Sequence, residues 1–147
     1  MTTQAIPASA NHGKVNQGII WKSIGAVLAG FIVVAAVSLG TDEVFHILKV
    51  YPPWGEPMRA PGANALALAY RIVYSVLGGY ITAKLAPQNP VKHAVILGSI
   101  GLAISILGVI VTLPMHLGPA WYPIGLVITA LPCSWLGGVL YSRKSGS

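Results

Sequence analysis

Acidic side chains are almost missing from this chain. Asp and Glu together number 3 in 147 residues, and all charged residues make up 8%. A soluble domain carries about 25%, so this composition cannot cover a water-facing globule. Cysteine occurs once, as Cys133 inside an apolar run, which excludes an intramolecular disulfide and reads as an inert buried thiol. Catalytic signatures are missing as well. There is no Gly-x-Ser-x-Gly, no His-Glu-x-x-His, no phosphate loop and no Cys-x-x-Cys-His. No catalytic residue and no cofactor is therefore assigned.

Long apolar runs take the place of charge. Hydrophobic residues make up 54% of the chain. Residues 1–18 are polar, hold Lys14 as their only charge, and read as a disordered cytoplasmic tail. The next run lies between Lys22 and Asp42. Their twenty-residue separation gives roughly 30 Å of helix, the thickness of a bilayer core. The run is longer than the apolar part of a signal peptide, and the tail before it is long. Four spans are expected, over about 20–42, 64–85, 91–113 and 121–141, with residues 144–147 as a tail. Prolines delimit them at Pro52-Pro53, Pro87, Pro90 and Pro114, because proline lacks the amide a helix needs. The first helix has the composition to continue to about Lys49. The expected fold is all-α: an integral membrane four-helix bundle.

The net charge of +6 raises the question of nucleic acid. The basic residues stand at the ends of apolar runs, however, which is the pattern of membrane orientation. Lys14, Lys22, Lys84, Lys92, Arg143 and Lys144 fall on one side; Lys49, Arg59 and all three acids fall on the other. The positive-inside rule then predicts a bacterial inner-membrane protein with both termini in the cytoplasm. Trp54, Trp121 and Tyr122 would mark the outer interface, and Trp21 and Tyr141 the inner one. The partner this implies is the lipid bilayer, not nucleic acid.

Two spans share a pattern. Ser75-Val76-Leu77-Gly78-Gly79 through Lys84 matches Ser134-Trp135-Leu136-Gly137-Gly138 through Arg143. Spans one and three each open with a lysine, Lys22 and Lys92. The similarity predicts two parallel-repeat helical hairpins. Small residues recur three and four apart in every span: Gly25, Ala29, Ala36 and Gly40 in the first; Ser75, Gly78 and Thr82 in the second; Gly98, Gly101, Ser105, Gly108 and Thr112 in the third; Ala130, Ser134 and Gly137 in the fourth. Lipid gives helices no hydrophobic reason to associate, so small residues that allow close approach read as packing seams, with a ligand-lined cavity as the alternative. Such a seam also suits a homo-oligomer or a membrane-protein partner. Pro132 predicts a kink in the fourth span.

Arg71 is the charge the apolar pattern does not explain. At bilayer depth it costs about 2.5–3.5 kcal/mol. It can pair with Asp42 or Glu43 at the end of the first span, or reach outward along its own helix. His46 follows Asp42 by four residues and Glu43 by three, so the expected charge cluster is Arg71, Asp42, Glu43 and His46. The same spacing can bind a metal, but bundle metal sites need more ligands, and His116 is the only other candidate on that side. No metal is assigned. Tyr51 to Met58 is stiff and aromatic, and reads as an interfacial anchor around Trp54.

Tyr70-Arg71, the run Leu77 to Pro87, and Gly118-Pro119-Ala120-Trp121-Tyr122-Pro123 resemble small uncharacterised four-span bacterial membrane proteins. The resemblance covers spans two to four and implies no activity. Small multidrug exporters share the length and span number, but they carry a glutamate within the first span. Residues 24–40 hold none. The functional expectation is a non-enzymatic structural or accessory protein, with a small oligomeric transporter or channel as the alternative.

Overall fold

A computed structural model of the chain describes residues 9–147. Its elements are α1 (Ser9–Ile47), α2 (Pro61–Leu85), α3 (Pro90–Thr112) and α4 (Trp121–Ser145). The described residues are all-helical with no strand. All four helices contain a stretch long and apolar enough to cross a membrane. Prolines set several boundaries. Pro61 and Pro90 sit in first turns, where a missing amide costs nothing. Ala86 is extended immediately before Pro87, as a residue preceding proline tends to be. At the end of α1, Lys49 takes a left-handed conformation with φ 58°, and Val50 and Tyr51 both donate to the Phe45 carbonyl.

Two boundaries differ from the sequence expectation. The helix begins at Ser9, so residues 9–18 continue α1 instead of forming a tail; residues 1–8 lie outside the described residues. Extending a helix by one residue needs no new nucleus, and no proline interrupts the chain between Pro7 and Pro52. Likewise α4 runs on to Ser145, past the expected end of the span. The helix assignment is unbroken at Pro132, which lies on an exposed face.

Neighbouring side chains give the helix directions. Leu68 lies against Gly125, Gly79 against Ser134, and Tyr80 against Tyr141, so α2 and α4 run parallel. Gly138 meets Val91 and Ala94, while Gly98 meets Leu131, so α3 runs antiparallel to α4. Thr41 meets Tyr74, and Gly30 meets Gly78 and Thr82, so α1 is antiparallel to α2. The chain therefore crosses the bundle four times, alternating in direction. α2 and α4 form its centre, and α1 packs mainly on α2.

The double glycines divide their work. Gly78 faces α1 beside Val34 and the Gly30 carbonyl, and Gly79 faces the Ser134 backbone of α4. Gly137 faces Val76, Gly79 and Tyr80 of α2, and Gly138 faces α3. Gly79 and Gly137 therefore let two backbones touch, which is how small residues hold helices together in lipid. If the two hairpins were packed as equivalent copies, Gly78 and Gly137 would have matching duties. Their duties are instead exchanged, and α2 contacts α3 while α4 makes no matching contact with α1. The shared sequence pattern is thus not a shared packing arrangement.

The seam of α1 is shifted by one to two positions from the expected one. Ala26, Gly30, Ser38 and Asp42 are buried, whereas added side-chain carbons at Gly25 and Gly40 would meet nothing. Both stripes contain small residues at helical spacing. Only the Gly30 stripe also carries Asp42 round to Arg71, and that contact fixes the rotation.

Candidate functional site

One end of the bundle carries Trp54 and the segments 48–60 and 113–120; the other carries Lys84 and Lys92. The charged residues of interest converge at the Trp54 end. Arg71, nearly three turns into α2, donates from Nη2 to Asp42 Oδ2 at 2.5 Å. The Asp42 side chain is 10% exposed and that of Arg71 31%. The second carboxylate oxygen, Oδ1, accepts from the Tyr70 hydroxyl. Tyr51 in turn donates to Tyr70 at 3.2 Å. One turn away, the Thr41 and Tyr74 hydroxyls share a hydrogen bond of 2.8 Å. Phe45 packs on both Tyr51 and Tyr70, with ring centroids at 5.2 and 5.9 Å.

The physical logic is satisfaction of a buried charge. A lone carboxylate here would cost several kcal/mol, but each of its oxygens has a donor. Burial, the largest influence, pushes the Tyr51 phenol above its ordinary pKa, which keeps it a neutral donor. The guanidinium is less completely used. It spends one of its five donors on Asp42, and its Nε is buried without a partner.

Arg71 and Asp42 thus meet, while Glu43 and His46 go elsewhere. Glu43 is exposed and accepts from Trp54 Nε1 at 3.1 Å. His46 Nδ1 donates to the Pro52 carbonyl at 2.7 Å, and its ring lies 4.0 Å from that of Trp54. These two residues fasten the loop after α1 instead of joining the ion pair. A helix places residues one apart about 100° apart, so Asp42 facing α2 turns Glu43 away. His116 is exposed in the 113–120 segment and does not join His46. Among the described residues no three His, Cys, Asp or Glu side chains are grouped to hold a metal.

The sequence reading did not single out Tyr70, Tyr51 or Asn64. Tyr70 and Tyr74 share a helix face with each other and flank Arg71, a usable signal for a polar seam. Asn64 is 2% exposed and ties down the loop before α2 by donating to the Met58 and Ala60 carbonyls at 2.8 and 3.0 Å. Gly118 packs against the same Met58 carbonyl. The loop also turns at Gly55, where φ is 90° and Glu56 N donates to the Pro53 carbonyl.

These pinned loops enclose a cavity of about 550 Å³. Its wall includes Arg71, Asp42, Trp54, Ser105, Tyr122 and Leu126. The volume falls within the range of small-molecule sites, about 300–1,000 Å³. The small-residue stripe of α3 is split by it. Gly98 and Gly101 pack on α4, while Ser105, Gly108 and Thr112 line the cavity. In α2 the deepest lining residue is Arg71, seven residues short of Gly78 and so roughly 10 Å above the glycine crossing.

Four apolar helices of spanning length around this site suggest a multi-pass membrane protein. Comparison with protein-family models, with curated proteins and with solved structures returned no match to this chain. Its function must be argued from the site.

Proposed function

We propose that this chain is a small multi-pass protein of the bacterial inner membrane, with both termini in the cytoplasm and a non-enzymatic accessory role. Positive charge supports the orientation: Lys84, Lys92, Arg143 and Lys144 gather at one end, whereas Lys49 and Arg59 share the Trp54 end with every acid. The observation that carries the non-conducting reading is the floor of the cavity. The lining stops at the level of Arg71, and below it Gly30, Gly78, Gly79 and Gly137 bring three helices into backbone contact. Among the described residues this cavity therefore opens at one end and stops short of the glycine crossing.

Vesicles loaded with a small solute test this. Those reconstituted with the purified chain should hold the solute as long as protein-free vesicles do. Release or uptake that depends on the protein would refute the accessory reading. It would favour instead a small oligomeric transporter, for which the cavity and its Arg71–Asp42 pair are the supporting observation. Mass determination in mild detergent reports the partner or the homo-oligomer that an accessory role requires.

A further inference from the structure

The cavity has a definite chemical character. Ile104, Leu113, Pro123 and Leu126 give it apolar walls. Its polar groups are weighted toward donors. Four of the five Arg71 donors are unspent, and among the described residues the hydroxyls of Ser105 and Tyr122 make no hydrogen bond. The charges do not favour an anion. Arg71 is already matched by Asp42, and the remaining acid or base in the wall besides His46 is the carboxylate Glu56. They do not favour a deep cation either, because both Asp42 oxygens are engaged. An uncharged acceptor on an apolar body satisfies all of these conditions.

We infer that this cavity binds a neutral, membrane-soluble amphiphile whose carbonyl-type oxygen accepts from Arg71. The inference rests on the membrane placement proposed above and adds the class of ligand. The apolar body lies between α3 and α4, beside Trp54 of the pinned loop, which lines the cavity. Water excluded from the apolar walls cannot satisfy the guanidinium as fully as a fixed acceptor does.

Trp54 supplies the readout. The full chain carrying W21F, W121F and W135F retains Trp54 as its single tryptophan and is placed in lipid nanodiscs. It is titrated with three probes built on a ten-carbon chain: decanamide, decyl phosphate and decyltrimethylammonium. Decanamide should give a saturable change in Trp54 emission, and the two charged probes should give none. Arg71→Leu combined with Asp42→Asn removes the donor without stranding a carboxylate and should weaken decanamide roughly tenfold or more. Gly108→Leu provides a second variant that leaves the ion pair intact. Gly108 lines the cavity and nothing lies within 4 Å of an added carbon there, so the leucine side chain takes space the ligand needs and should abolish the response.

Tighter binding of decyl phosphate, equal responses to all three probes, or a decanamide response that survives Gly108→Leu would each overturn the inference. Failure of the underlying placement is distinguishable. Labelling that finds residue 54 in the cytoplasm overturns the orientation, whereas loss of probe selectivity overturns the ligand.

Discussion

Alanine at Gly79 or Gly137 should separate the two central helices, and alanine at Gly101 should not. An added carbon at Gly79 would lie 2.8 Å from the Ser134 Cα, and one at Gly137 would lie 2.6 Å from the Tyr80 nitrogen. Carbon atoms pack at about 3.5–4.0 Å, so α2 and α4 must part by roughly 0.7–1.2 Å. The obstacle is backbone, which cannot rotate aside. Overpacking of this kind costs about 1–3 kcal/mol. Replacing a helical glycine returns about 0.5–1 kcal/mol. The net expectation is a loss of up to about 2.5 kcal/mol at either site. At Gly101 the nearest neighbour of the added carbon is Ala130 Cβ at 3.9 Å, an ordinary contact. Only the helix gain remains there, about 0.5–1 kcal/mol in favour of the variant. The double variant at Gly79 and Gly137 should lose less than the sum, because one separation accommodates both methyl groups. Unfolding by sodium dodecyl sulfate in mixed micelles, followed by far-ultraviolet circular dichroism, gives the ranking. Equal stability of Gly79→Ala, Gly137→Ala and Gly101→Ala would refute the assigned crossing.

Arg71→Leu strands Asp42 and should cost about 3 kcal/mol, with part recovered when Asp42→Asn is added; no recovery in the double variant would contradict the pairing of Arg71 with Asp42. Glu43→Gln should change stability by under about 0.5 kcal/mol, since its carboxylate is exposed. Asn64→Ala leaves the Met58 carbonyl without its donor, at about 1–3 kcal/mol, while Ala60 keeps the backbone amide of residue 64, and it should speed protease cleavage after Arg59; unchanged cleavage would show that Asn64 does not hold the loop. Tyr51 should ionise above the ordinary phenol pKa of about 10. Its contribution to stability is then full below about pH 10 and is lost as pH rises through the higher folded value. Ultraviolet difference titration against Tyr51→Phe measures it, and ionisation below the ordinary value would contradict the burial of that ring.

Much of the bundle was legible because lipid-facing sequence is constrained. Apolar length and proline spacing place α2 and α3 to within a few residues, and the cost of Arg71 directs attention to Asp42. The failures have physical reasons. Rotation of α1 was not legible, since Gly25 and Gly30 both belong to small-residue stripes and only tertiary contact, of Asp42 with Arg71 and of Gly30 with Thr82 and Gly78, chooses between them. The Gly78-Gly79 pair reads as one device in sequence, yet neighbouring helix residues point about 100° apart and so serve different helices. Ser105 and Gly108 look like the seam of Gly98 and Gly101. Whether a small residue packs or lines a cavity depends on the loops from 51–58 and 113–120, whose course follows from Asn64 and His46 contacts that no periodicity reveals.

The central claim is a site reached from the Trp54 side and closed below Arg71. Single cysteines in a Cys133→Ala background test it most directly, with a membrane-impermeant thiol reagent added to the outside of cells. Ser105→Cys, in the cavity wall, should be labelled from outside. Leu97→Cys, 4% exposed beside Gly30 and Gly78, should not be labelled from either side. Labelling of Leu97→Cys as fast as Ser105→Cys, or labelling of Ser105→Cys from the cytoplasm alone, would contradict the account.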